Sequence, residues 1–298
     1  MTKTLSVLTA AGAVVLAAHS AGAQHARFVL FGDPDPAAAE LGPETHAVHP
    51  ITSPFFHENS FITSDVRAWF LFHDLPNGSL IEGGEAYAVA VQARLALTSS
   101  LQFVAYKDGY LWLESGLVEE NGWFDIGAGL KWAFWQDFSK QFHMAIGAGY
   151  EIASGTERVL QDDDEIRVWG SVDKGFDKWH LGGTFNFFFP VGSEDDLGDS
   201  YTMSWHLRTD YRLTDWFSPV IELNGYHVLQ AGDSPLPFQG IDIGNFGRGE
   251  DDPVVTIGLG GEFRPMPDLG LRAGFELPLT DNDDLYGWRL TASIVFSF

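Results

Sequence analysis

The sequence has no cysteine, and its 17 lysines and arginines are outnumbered by 41 aspartates and glutamates. The missing cysteine excludes disulfide frameworks, thiolate metal sites and cysteine nucleophiles. The formal net charge of −24 argues against a nucleic-acid partner, because neutralising phosphates takes clustered Lys and Arg. A third shortage is of long apolar runs: beyond the N-terminus no stretch approaches the ~20 residues that a spanning helix needs. At the N-terminus itself, Lys3 precedes an apolar stretch from Leu5 to Ala18, and Ala21-Gly22-Ala23 has the small-residue form of a cleavage site before Gln24. Residues 1–23 are therefore expected to be a secretory signal peptide. A chain exported in this way, with no helical span left, is either soluble or crosses a membrane as strands.

What is present is a period of two. Between Tyr201 and Leu213, the residues Tyr201, Met203, Trp205, Leu207, Tyr211 and Leu213 fall on one face, and Thr202, Ser204, His206, Arg208, Asp210 and Arg212 on the other. Near the C-terminus Trp288, Leu290, Ala292, Ile294, Phe296 and Phe298 oppose Arg289, Thr291, Ser293 and Ser297. One face is oily and the other polar, the mark of a strand between two different media. Strands are expected at 60–73, 85–98, 101–106, 123–134, 140–152, 164–176, 179–190, 200–212, 216–229, 253–264, 269–278 and 288–298. The third is short, and Tyr110, Leu111, Trp112 and Leu113 beyond it either extend it or form a loop that folds inward as a constriction.

The connections alternate. Short turns at 99–100, 135–139, 177–178, 213–215 and 265–268 interleave with long loops at 74–84, 107–122, 153–163, 191–199, 230–252 and 279–287. Short turns on one side and longer loops on the other, with both termini on the short side, is how outer-membrane barrels are built. The six long loops carry 21 acidic residues and only Lys107, Arg158 and Arg248 as basic ones, so the negative charge gathers on one rim. Trp132, Phe134, Trp135, Phe142, Phe176, Trp179, Trp216 and Phe217 flank the short turns, as aromatic girdles do at membrane edges. Residues 24–59 differ, with Asp33-Pro34-Asp35-Pro36 and further prolines at 43, 50 and 54. Proline at this density disfavours helix and central strand, and the segment is expected to be an irregular periplasmic extension ahead of a barrel spanning 60–298.

The terminal strand Trp288-Arg289-Leu290-Thr291-Ala292-Ser293-Ile294-Val295-Phe296-Ser297-Phe298 resembles the closing strand of bacterial single-chain outer-membrane barrels. The resemblance implies an all-β, antiparallel up-and-down barrel of about twelve strands in the outer membrane, with Phe298 read by the barrel-assembly machinery. More loosely, the chain is similar in size and ending to porin-like barrels grouped as transporters of phenol-degradation pathways. It implies a channel passing small-molecule solutes through a polar lumen, with no cofactor, surrounded by outer-membrane lipid and lipopolysaccharide.

Projecting the alternation inward gives a candidate lumen lining of Asp65, Arg67, Arg94, Lys131, Glu151, Arg167, Arg208, Asp210, Arg212, Glu222, Glu262, Arg264, Arg272, Glu276 and Arg289. These charges either orient polar solutes or compensate one another's desolvation in a filled interior. Gly127, Gly129, Gly147, Gly149, Gly258 and Gly260 also face inward and leave room for long side chains or a ligand. Acidic runs at 162–165, 194–196 and 250–252 offer oxygen ligands to divalent cations but lack the spacing of a calcium loop, so no metal site is expected. His46, His49 and His57 fit no metal motif and are taken as linker residues. A barrel enzyme hydrolysing lipid needs a serine activated by a base within hydrogen-bond reach. His206 beside Ser204 comes nearest, on the side away from lipid, so no enzyme is expected. An adhesive or structural barrel is the remaining alternative.

Overall fold

A computed structural model describes residues 25–42, 45–79, 82–156, 163–191, 200–232, 242, 249–250, 253–280 and 286–298. The signal peptide, the acidic run at 194–196 and residues 251–252 of another lie outside the described residues. Among the described residues no helix is long and apolar enough to cross a membrane. The chain is instead one antiparallel sheet of fourteen segments.

In chain order these are β1 (Asp65–Leu75), β2 (Gly84–Ala96), β3 (Leu101–Lys107), β4 (Tyr110–Ser115), β5 (Glu119–Trp123), β6 (Ile126–Asp137), β7 (Phe142–Ile152), β8 (Glu165–Phe176), β9 (Trp179–Pro190), β10 (Tyr201–Tyr211), β11 (Phe217–Gln230), β12 (Val254–Met266), β13 (Leu269–Pro278) and β14 (Trp288–Ser297). From β6 to β14 each pairs with its sequence neighbour, β3 bridges β2 and β6, β4 bridges β2 and β5, and β1 pairs with β14 from Asp65 opposite Ser297 to Asp74 opposite Trp288, which closes the sheet. Pairing the first strand with the last removes the free edge along that seam, which is what makes a sheet tolerable in lipid.

The segments amount to twelve strands, because β3 with β4 and β5 with β6 are each one strand bent midway. The lower half of β2 pairs with β3 and its upper half with β4. At the bend Val91 donates its N–H to the Asp108 carboxylate at 2.9 Å, and Phe124 donates to the Gly109 carbonyl at 3.0 Å. Gly109 sits at φ +135°, where a Cβ would lie 2.5 Å from the Val89 carbonyl oxygen. Only glycine fits there. The loop expected at 107–122 is therefore a wall hairpin, not an inward constriction: Trp112 faces outward, and Leu111 is buried beneath it.

Burial alternates along the strands as the sequence requires. In β8 it is regular, with Arg167, Trp169, Ser171 and Asp173 buried and Ile166, Val168 and Val172 exposed on the outer face. Around the barrel Val89, Phe103, Ile146, Phe187, Leu207, Ile221, Leu259 and Ile294 continue that exposed apolar surface. Trp132, Trp135, Phe176, Trp179 and Trp216 are about half exposed at the short-turn rim, so they are girdle residues and not core.

The core is inside the barrel, and its centre is the segment expected to lie in the periplasm. Residues 26–31 run along the short-turn rim, where Leu30 donates to the Ala96 carbonyl and Phe31 to the Leu97 carbonyl, both at 2.9 Å. A single turn, α1 (Pro36–Ala39), follows, capped by Asp35 accepting from the Ala37 N–H. Every residue from Thr45 to Ser64 is then buried. The segment ascends the lumen from His46, which meets β12, to Ser53, which meets Tyr226 high on β11. It turns over at Pro54 to Phe56 and descends to Ser64, which bonds Ala96 at the base of β2. A periplasmic extension is thus incorrect for residues 45–59, and β1 begins at Asp65 and not at 60. Wall surrounds the segment on every side, so its burial has no period. Pro50 and Pro54 suit a backbone with few ladder partners because they bring no N–H to satisfy.

Three apolar clusters seat this re-entrant loop. Phe55 and Phe56 pack with Trp69, Leu71, Leu111, Phe124, Phe188 and Tyr226 near the long-loop rim. Val48 and Ile51 meet Val220 at middle height, and Ile62 meets Ala96, Ala133 and Ala145 near the base. Each buried Phe or Ile contributes about 1.5–3 kcal/mol relative to exposure.

Candidate functional site

The inward positions of β1, β2, β6 to β14 and the loop together make the candidate site. Every ionic residue assigned to the lumen from sequence is buried inside the barrel, Arg264 only partly. Their burial fits the inward face that the alternation predicts. What it could not show is that most of them bond to the loop or to one another.

Glu58, near the descending end of the loop, is the hub on one side. Its carboxylate accepts from Arg94 of β2 at 2.5 Å and from Lys131 of β6 at 2.9 Å, and Lys131 also donates to the Asn59 carbonyl at 2.9 Å. Burial works to raise the Glu58 pKa, but the Arg94 and Lys131 cations outweigh it and hold the carboxyl well below its usual range. The Glu58 carbonyl accepts the Thr184 hydroxyl at 2.5 Å. Next along the wall, Asp173 of β8 receives both the N–H and the hydroxyl of Ser60 at 2.7 Å, and Arg208 of β10 at 2.7 Å. Arg208 also meets Asp210, which bonds His180 at 2.8 Å.

The ascending arm is held from the other side. Glu222 of β11 accepts the N–H groups of Ile51 at 2.9 Å and Thr52 at 2.6 Å, and the Thr52 hydroxyl at 2.6 Å. His46 lies 2.9 Å from Glu262 of β12, which also receives Arg264 at 3.0 Å and Arg272 at 2.7 Å. Glu276 of β13 pairs with Arg289 of β14 at 2.8 Å, and Arg289 reaches Asp242 of a long loop at 2.5 Å and the Thr52 carbonyl. Asp65 and Arg67 pair at 2.6 Å on β1, with Arg67 donating to His49 at 3.0 Å. At the apex Arg167 donates to the Phe55 and Phe56 carbonyls at 2.7 Å each, its guanidinium lying 4.7 Å from the Tyr106 ring and 4.8 Å from Trp169. Lys107 pairs with Glu151, and Arg212 reaches Asp215 at the base.

In the seam wall, Glu262 with Arg264 and Arg272, Glu276 with Arg289, and Asp65 with Arg67 form separate ion pairs. Its ions couple neighbouring strands, Glu262 to Arg272 and Glu276 to Arg289, which stand opposite each other in the ladder. Buried charges survive only when paired and hydrogen-bonded; Glu262 and Glu276 each hold an arginine, with Arg272 bonded through Nε while its Nη1 and Nη2 lack a partner among the described residues. The inward glycines have the same explanation. A Cβ at Gly258 or Gly274 would lie 2.6 or 2.8 Å from the Thr52 methyl, and one at Gly127 or Gly147 would strike Tyr106 or Trp169.

The residues that sequence reasoning missed are those of the loop: His46, His49, Thr52, Ser53, Glu58, Asn59 and Ser60. A signal was available. Between 45 and 64 the one charged residue is Glu58, and Phe55, Phe56 and Phe61 recur among Ser and Thr, which is unlike a solvated linker. His46, His49 and His57 are lumen residues, not linker residues. Burial depresses all three imidazoles, His46 to about 4 against its Glu262 contact and the other two well below their ordinary value. Ser204 and His206 do meet at 2.9 Å, with the Asn224 carbonyl oxygen 2.8 Å from the other ring nitrogen. His57 stacks on His206 at 5.2 Å, and the serine is 1% exposed, so a substrate has no approach. Among the described residues no three metal-ligating side chains converge, and Asp164 of one acidic run is bonded instead to the Tyr150 hydroxyl and the Ala153 N–H.

No family model matches this chain, and no curated protein does. Among solved structures, the COG4313 outer membrane channel from Pseudomonas putida F1 is similar at 13% identity, with a TM-score of 0.60 over 85% of this chain and 100% of that one. The NanC porin is similar at 11% identity, with a TM-score of 0.50 over 79% of this chain and 98% of that one. At these identities the likeness is one of fold: this chain has the closed antiparallel barrel of outer-membrane channels and porins.

Proposed function

We propose that this protein is an outer-membrane channel for small molecules whose path is filled at rest by its own residues 45–64. The observation that carries the reading is the combination of a closed twelve-strand barrel, an apolar outer face and an interior of ionic side chains. The outer face is at home only in lipid, and a barrel open at two rims joins two aqueous spaces. Charges of both signs line the interior, which suits polar solutes. The loop enters from the short-turn rim and is held by hydrogen bonds and ion pairs, without a covalent tie, so a path exists whenever it withdraws. An enzyme reading has less support, since Ser204 and His206 are enclosed. The acidic loops face lipopolysaccharide, and Phe298, whose N–H bonds the Ser64 carbonyl at 2.9 Å, is the signal for barrel assembly.

Planar-bilayer recording on refolded full-length protein tests the reading. Small or infrequent current steps are expected from the whole chain, and large stable steps from a variant lacking residues 46–60. Absence of steps from both, with the barrel folded, overturns it.

A further inference from the structure

Three imidazoles, His46, His49 and His57, sit on one twenty-residue loop inside the barrel, and each faces cations or another imidazole. His49 Nδ1 accepts from Arg67 Nη2 at 3.0 Å and from the Asn59 amide, and Arg272 of β13 and Arg208 of β10 stand nearby. An accepting nitrogen has no proton, so His49 is neutral in this arrangement. Protonating it removes the lone pair that both donors use and sets a second positive charge against Arg67. His57 lies flat on His206 of β10, the rings 22° from parallel, with Arg208 and Arg167 on the wall and the Glu58 carboxylate beside it on the loop. His46 faces Glu262, but Arg264 and Arg272 share that carboxylate, and His25 and His49 lie close by.

We propose that residues 45–64 form an acid-released plug: proton uptake by His46, His49 and His57 drives the loop out of the barrel. This rests on the reading of the lumen as a closed path. The sign follows from linkage. In the inserted loop burial holds the three imidazoles below their ordinary value, to about 4 for His46, whereas in the withdrawn loop water restores them to about 6.5. Below that pH the withdrawn loop binds protons that the inserted one refuses. Each histidine then lowers the inserted share about tenfold per pH unit, and three together up to about a thousandfold per unit, over the window from about 6.5 to 4. Glu58 acts in the same direction, because the inserted state favours its ionised form and the withdrawn state takes up a proton sooner as pH falls.

The natural lack of cysteine supplies a clean probe. Ser53 is 0% exposed at the loop apex, and a Ser53→Cys variant of the full chain, folded in detergent or liposomes, is reacted with a bulky water-soluble maleimide across pH 7 to 4, with a free thiol correcting for reagent chemistry. Corrected labelling is expected to rise steeply as pH falls through this window. Adding His46→Gln, His49→Asn and His57→Phe is expected to flatten the profile, and each single replacement to reduce its slope by about one proton. Flat labelling in Ser53→Cys, or an equal slope in the triple variant with the barrel still resistant to SDS, overturns the proposal. Labelling reports loop position whether or not the barrel conducts: an acid-dependent rise without any bilayer current condemns the channel reading alone.

Discussion

Replacing Glu58 with alanine is the sharpest perturbation of the occupied lumen. The carboxylate holds Arg94 at 2.5 Å and Lys131 at 2.9 Å, and those side chains are 1% and 0% exposed. In Glu58→Ala both cations remain among protein atoms without that partner. Removing one member of a buried pair costs about 3–5 kcal/mol, most of it from the charge left uncompensated. Withdrawal of the loop returns water to Arg94 and Lys131, so the penalty falls on the inserted state alone. At about 1.4 kcal/mol per factor of ten, the inserted-to-withdrawn ratio drops by about two to three and a half orders of magnitude. Bilayer recording reads this as longer and more frequent open periods at neutral pH. An SDS gel with and without heating checks that the barrel is intact. Open probability within twofold of the parent, in a variant that keeps its heat-modifiable shift, would refute the claim that the Glu58 cluster secures the loop.

The remaining predictions concern the wall. Gly258→Val places a side chain against Thr52, where a Cβ alone would lie 2.6 Å from the methyl; overpacking of about 1–3 kcal/mol should displace the loop and raise conductance, whereas Gly170→Ala, with nothing within 4 Å, should leave it unchanged. Leu111→Ala removes a 3%-exposed side chain from the apical cluster and should cost about 2–5 kcal/mol, seen as earlier loss of the folded band on heating; no loss would mean that β4 does not belong to the wall.

The wall was legible because a strand between lipid and an ionic interior must alternate. Arg167, Arg208, Glu222 and Arg289 could be assigned inward from that rule alone, and the short and long connections followed. The β3–β4 strand was only half legible: its bend depends on Asp108 replacing a ladder partner of Val91 and on Gly109 at positive φ, and a two-residue irregularity leaves no trace in the period. The loop was illegible for a different reason. A segment enclosed on all sides has neither period two nor 3.6, and its prolines point to irregular backbone without saying where that backbone lies. The wall partners of Thr52, Glu58 and Ser60 are more than a hundred residues away, except for Arg94 and Lys131, so no local spacing announces them. The ionic lining could be counted in advance; whether it faced water or protein depended on those distant contacts.

The path of residues 45–64 bears on how the molecule can be made. Both ends of the loop emerge at the same rim, one leading to residues 25–42 and the other directly into β1. Among the described residues no chain end passes through the ring of strands, so their arrangement is neither knotted nor threaded. The β1–β14 seam can zip shut around an empty cylinder that swallows the loop afterwards, or around one already filled, and both routes reach the same product. Entry and exit therefore break contacts with wall side chains and the backbone bonds of Ile62 and Ser64 at the loop's base, but no strand ladder, leaving the order of assembly open and the seam untouched.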